Sequence, residues 1–173
     1  MTHTTKNSKL IHASVETVYN AFTHPRVFES WMAPDNMTAH IHHFDWHEGG
    51  SYEMSLYYPE ANRIAHGKTS AHEDRYRAEI LKLIPYKLVI LEINFKSADP
   101  AIAGPMLLEI IFDQKDAGTN VTFAFKDIPS GINPEENEEG TIATLEKLAK
   151  YAEAETEIDE QVSDGSANAF NGK

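Results

Sequence analysis

Asp45-Trp46-His47-Glu48-Gly49-Gly50-Ser51-Tyr52 is the stretch whose reading decides how this chain folds. A polar, histidine-rich run (His40, His42, His43) leads into it. On the way out, Tyr52, Met54, Leu56 and Tyr58 alternate with Glu53, Ser55 and Tyr57. That period of two belongs to a half-buried strand. Two adjacent glycines between such runs mark a tight reversal, because glycine adopts φ > 0 without a Cβ penalty. Pairing the runs as a hairpin brings Trp46 beside Tyr52 and Met54, which makes an aromatic wall.

Upstream, Lys9 to Ala13 reads as a short first strand, and residues 1–7 are polar and expected to be loose. Ser14 suits a helix N-cap, with Val15, Val18, Tyr19 and Phe22 at helical spacing behind it. Pro25 can close that helix and open a second one carrying Val27, Phe28 and Trp31, which Pro34 ends. Residues 37–47 and 51–58 form the two strands of the hairpin.

Downstream, residues 59–74 read as a long polar connection or an irregular strand. Tyr76 to Ile84 suits a strand, although residues 77–83 would also serve as a helix. Further strands are expected over Lys87–Phe95, Met106–Phe112 and Val121–Lys126, the last two joined by a hairpin loop over 113–120. Asn133-Pro134-Glu135-Glu136 is a helix start: a cap, proline at the first position, then acids at the positive end of the helix dipole. Ile142, Leu145, Leu148, Ala149 and Ala152 form the apolar stripe of a long helix ending near residue 155. Residues 8–155 thus read as a single domain, followed by an acidic tail over 156–173 expected to be disordered. Successive strands joined by short turns make an antiparallel sheet, and a long helix laid across it gives an α+β layer arrangement.

The composition narrows the function classes. The chain has 173 residues and no cysteine, which removes disulfides, thiol nucleophiles and thiolate metal sites. The net charge is −12, most of it from Glu135 onward. Nucleic acids and anionic membranes call for basic surfaces, so neither is an expected partner. No apolar run approaches the ~20 residues that cross a bilayer. The first residues lack the apolar centre of a signal peptide, so a cytoplasmic location is the default expectation.

In this order the elements resemble the helix-grip fold of the START/SRPBCC superfamily. Within it, the motifs resemble the activator of heat-shock-protein-90 ATPase homologue-like family. The matching pieces are Ile11-His12-Ala13-Ser14-Val15-Glu16-Thr17-Val18-Tyr19-Asn20-Ala21-Phe22, then Trp31, then Asp45-x-His47-x-Gly49-Gly50. They continue with residues 79–89, Gly118-Thr119-x-Val121-Thr122 and Gly140-x-x-x-x-Leu145-x-x-Leu148. The family usually has Arg where this chain has His47, and Trp where it has Thr141. The resemblance implies a curved sheet of about six to seven strands wrapped around the long C-terminal helix, with two short helices after the first strand. It also implies a hydrophobic cavity between sheet and helix, which superfamily relatives use for lipids, sterols, polyketides or plant hormones.

Residue chemistry adds candidates. Trp31, Trp46, Tyr52, Met54, Phe123, Phe125, Leu145 and Leu148 are the expected cavity-lining, ligand-binding residues. Each taken alone is equally at home in a core, so the cavity rests on the resemblance and not on periodicity. Trp46 and Tyr52 add polar tips to an apolar wall. On a strand, His43, Asp45 and His47 alternate onto one face and have metal-ligand chemistry. The plainer reading is a solvated strand face, and no metal or cofactor is expected. Glu92 and Asn94 would be polar anchors if their face turned inward; the outer face is the alternative. His12, His24, His66 and His72 are read as surface residues. No Ser-His-Asp ordering, phosphate loop or nucleotide fingerprint is present.

Three functions follow as expectations. The first is a non-catalytic protein that binds a small hydrophobic or aromatic ligand. The second is a cyclase- or hydrolase-like enzyme using a pocket carboxylate or histidine. The third is an interaction protein with a chaperone partner. Monomer and homodimer are both compatible with the sequence.

Overall fold

The computed structural model describes residues 2–34, 36–59 and 72–170, with side chains to residue 163. Seven strands form one antiparallel sheet in the order β1-β7-β6-β5-β4-β3-β2. They are β1 (His3–Ile11), β2 (Thr38–Phe44), β3 (Ser51–Tyr57), β4 (Glu73–Ile84), β5 (Leu88–Phe95), β6 (Met106–Lys115) and β7 (Gly118–Ile128). Two short helices, α1 (Val15–Thr23) and α2 (Pro25–Met32), follow β1, and α3 (Pro134–Phe170) closes the chain. This is the α+β helix-grip arrangement expected from the sequence.

From β2 to β7 the strands form a meander, and β1 adds to the far side of β7. The chain therefore crosses from one sheet edge to the other between β1 and β2, and α1 and α2 make that crossing. Ser14 caps α1, its Oγ accepting from the Thr17 amide at 3.2 Å. Pro25 occupies the first turn of α2. The buried Trp31 indole donates to the Ala21 carbonyl at 3.0 Å, which ties the two helices together. α3 packs on β1, α1, α2 and β7.

Several boundaries differ from the sequence reading. Residues 3–7 are not loose: they extend β1 along β7, from His3 opposite Ile128 to Asn7 opposite Phe123. Their polarity hides the strand because Thr5 faces the polar start of α3, where its hydroxyl donates to Asn137 Oδ1 at 2.6 Å. The loop expected over 113–120 shrinks to the two residues between Lys115 and Gly118, since both strands run further than their apolar cores. Residues 77–83 are strand and not helix. A register shift between Ile80 and Lys82 leaves Leu81 outside, which explains the broken alternation there.

The last helix passes residue 155 and continues to Phe170, in place of the disordered tail expected over 156–173. No proline stands in the stretch to break the backbone hydrogen bonds that carry the helix onward from its packed part. Its apolar stripe is also one position different. Leu145, Leu148, Ala149 and Ala152 are buried together with Thr141 and Thr144, whereas Ile142 stands exposed. The polar connection expected over 59–74 falls mostly on residues 60–71, which lie outside the described residues, as does His66.

An aromatic cluster fills the end of the core under α1 and α2. Phe22 meets Trp31 edge-on at 4.7 Å and Phe112 at 5.3 Å. Phe28 meets Tyr52 edge-on at 5.1 Å. Edge-to-face pairs of this kind add to the stabilisation that burial alone supplies.

Candidate functional site

The opening hairpin is built as its glycines require. Gly49 has φ 87°. A Cβ on Gly50 would lie 2.3 Å from the Asp45 carbonyl oxygen. The turn closes through Asp45 N to Ser51 O at 2.9 Å and Gly50 N to His47 O at 2.8 Å. It is also stitched to β4: Gly49 N donates to Ile80 O, Ile80 N to Gly50 O, and Leu83 N to Glu48 Oε2. Asp45-to-Gly50 is thus a structural corner joining three strands.

His47 is on the outside, its side chain 62% exposed, and its Nδ1 pairs with Asp45 Oδ1 at 2.7 Å. His43 is exposed, and a register shift between Ile41 and His43 breaks the alternation on which a shared face depends. Among the described residues, no three histidine or carboxylate side chains converge as a metal site. His42 instead contacts Ser55 through Nε2 at 2.8 Å, and the Ser55 hydroxyl donates to Glu73. Glu92 and Asn94 belong to the outer face, because Val89, Leu91 and Ile93 carry the inner one. His12, His24 and His72 are exposed.

The space beneath α3 lies further along the sheet. It is a partly open cavity of about 150 Å³ at the N-terminal half of α3. The sheet supplies Leu56, Tyr76, Ile93, Phe95, Met106, Phe123 and Phe125. The helix supplies Glu136, Asn137, Gly140, Thr141 and Thr144, and Met32, Pro34 and Ile132 close the ends. The wall is therefore carbon on the sheet side and polar on the helix side. Tyr76 turns its hydroxyl away from the opening, donating to Met54 Sδ at 3.4 Å and lying 3.5 Å from the Tyr52 hydroxyl. Burial raises both phenols, Tyr76 to about 12 and Tyr52 well above its ordinary value.

Of the eight residues expected to line the cavity, Phe123 and Phe125 do so. The other six lie elsewhere. Trp31, Trp46 and Tyr52 sit in the aromatic cluster, where Trp46 stacks on Phe44 at 5.9 Å and 10°. Met54 is fully buried behind Tyr76, and Leu145 and Leu148 are buried further along α3. The helices α1 and α2 fill this end of the sheet and displace the cavity toward the strand ends near residues 56, 76 and 95. Sequence reading missed Met106, Phe95 and the polar side chains of α3. The only signal for the last was the spacing of Asn137, Thr141 and Thr144, which shares a helix face with Leu145 and Leu148.

Near the opening, the Tyr58 hydroxyl donates to the buried Asp74 carboxylate at 2.8 Å. Burial, then the Asp74 charge and its hydrogen bond, and last the Glu136 charge, raise the Tyr58 phenol far above its ordinary value. Asp74 pairs across the ladder with Leu56, which lines the cavity.

These features define an α+β helix-grip protein with a helix-covered cavity. The chain belongs to the family described as activator of Hsp90 ATPase homolog 1-like protein, whose model matches residues 12–153. Solved structures share the fold at low identity. A Chromobacterium violaceum protein superposes with a TM-score of 0.75 at 23% identity, over 87% of this chain and 96% of its own. A Mycobacterium smegmatis protein gives 0.68 at 15%, over 88% and 90%. An AHSA1-like protein from Aeromonas hydrophila gives 0.66 at 15%, over 89% and 94%. No functionally curated protein matches the sequence. Among the described residues, no helix is long and apolar enough to cross a membrane.

Proposed function

We propose that this protein binds a small apolar or aromatic molecule in the space between the sheet and α3, without transforming it. The observation that carries this reading is the cavity itself. Phe95, Met106, Phe123 and Phe125 present carbon to open space, and Thr141 and Thr144 face them from the helix. Binding sites for small molecules combine these two features, an apolar wall and a few placed polar groups. Among the described residues no histidine lines this space, and its one carboxylate, Glu136, stands exposed at the opening. The family's name keeps a chaperone partner as a second reading, tested by retention of the chaperone on immobilised protein and its loss at high salt.

The binding reading is tested with N-phenyl-1-naphthylamine and toluene, followed by fluorescence and by amide chemical shifts. At least one of the two is expected to bind with a stoichiometry of one and to move the amides of residues 123–125 and 140–144. Thr144→Leu fills the cavity from the helix side. It is expected to weaken binding at least tenfold while leaving the circular dichroism spectrum and Tm nearly unchanged. Binding of neither probe, or undiminished binding to folded Thr144→Leu protein, would overturn the reading.

A further inference from the structure

We infer that the cavity selects a compact ligand, a single ring with a short neutral or amine-bearing arm, and discriminates against carboxylates and bulky polycyclic molecules. The inference rests on the binding reading above and adds the chemical class.

Size is the first observation. The cavity measures about 150 Å³. An apolar cavity of about that volume holds one benzene ring. A sterol or a long acyl chain would have to leave most of its carbon in the opening, where burial gives it little.

Charge is the second. Glu136 is the one charged side chain among the described lining residues, and no lysine, arginine or histidine is among them. It is exposed, at the opening. The positive end of α3 opposes this field but is already answered. Asn133 Oδ1 accepts from the Glu135 amide at 2.9 Å, and Glu135 and Glu136 both lie in the first turn. Two carboxylates outweigh the roughly half charge of a helix terminus. The chain's net charge of −12 adds to the same sign. An anionic ligand head would therefore enter against the field, and an ammonium head would enter with it. Asn137, Thr141 and Thr144 offer side-chain oxygens to a hydroxyl or an amine on the helix side. Because Glu136 is solvated, the discrimination expected of it is a few-fold and weakens with salt.

The test compares 2-phenylethylamine, 2-phenylethanol and phenylacetate, which share a ring and differ in head charge, on the full chain at pH 7 and low salt. Cholesterol and decanoate serve as large probes. The amine and the alcohol are expected to bind at least tenfold more tightly than phenylacetate and than either large probe. Glu136→Gln is expected to reduce the amine-to-phenylacetate ratio at least threefold. Phenylacetate binding as well as the amine, or a ratio unmoved by Glu136→Gln, overturns the charge selection. Cholesterol or decanoate binding as tightly as the ring compounds overturns the size selection. If all three ring compounds fail while N-phenyl-1-naphthylamine still binds, the compact class is wrong and the binding reading stands. If that probe and toluene fail as well, both fall together.

Discussion

Gly49 and Gly50 are adjacent and do different things. Gly49 sits at φ 87° with nothing within 4 Å of where a Cβ would be. Gly49→Ala should therefore cost only the left-handed backbone penalty, about 1–2 kcal/mol, and Gly49→Asn less. Gly50→Ala drives a Cβ against the Asp45 carbonyl, and the corner must open. The expected loss is larger, on the order of 3 kcal/mol, the upper end for forced overpacking. Urea unfolding of the three variants checks the order. Buried tyrosines give a second single-residue outcome. Tyr52, Tyr58 and Tyr76 all have phenols raised above the ordinary value of 10.0. The folded state thus holds these protons while the unfolded chain releases them. Stability is unaffected below pH ~10 and falls as pH rises beyond it, by about 1.4 kcal/mol per pH unit for each such group. Tyr76→Phe should make the alkaline fall shallower by one group, and ultraviolet titration should show these tyrosines ionising only as the protein unfolds. At this scale the sequence was a partial guide. Two glycines between alternating runs announce a corner, and Trp46 beside Tyr52 follows from it. Whether those rings face a cavity or a core depends on what α1 and α2 put against them, and no local pattern encodes that.

At the scale of the element, α3 has two parts with different supports. Up to Ala152 its stripe is buried, and Thr141 and Thr144 sit where the cavity meets the helix. Residues 157–163 are all exposed. A chain ended after residue 156 should therefore keep its Tm within about a degree while losing helical ellipticity, because helix without packing adds little to stability. Ala152→Asp, one turn earlier, should lower Tm clearly, since it buries an unpaired charge. Cap and proline at 133–134 made the start of this helix plain from sequence. Its end was not, because nothing marks the change from packed to solvated helix except the loss of an apolar stripe. The stripe itself misled at Ile142, which period alone puts inside. The strands show the same division. Apolar cores of β6 and β7 were legible, but their polar ends were not, since ladder hydrogen bonds extend a strand past its hydrophobic residues.

For the whole molecule, the order of elements was enough to place the sheet, the helix pair and the closing helix, and the family model spans that same body. The open space under α3 lies at a different end of that layer from most of the residues expected to line a cavity, with Phe123 and Phe125 shared. That offset follows from volume: two helices with four large rings (Tyr19, Phe22, Phe28 and Trp31) cannot share one end of a seven-stranded sheet with open space. The sheet order has a further consequence, for how the chain comes off the ribosome. β1 is made first, yet its neighbour β7 lies over a hundred residues later, with His3 opposite Ile128 and Ile11 opposite Thr119. The meander from β2 to β6 can pair as it emerges, but β1 has no partner until β7 arrives, and the face it shares with β7 has no cover until α3 follows. Contacts of such separation make folding slow and late. While β2 to β6 are being made β1 stays unpaired, and the polar run Thr4-Thr5-Lys6-Asn7-Ser8 keeps that waiting strand from pairing with a neighbouring chain.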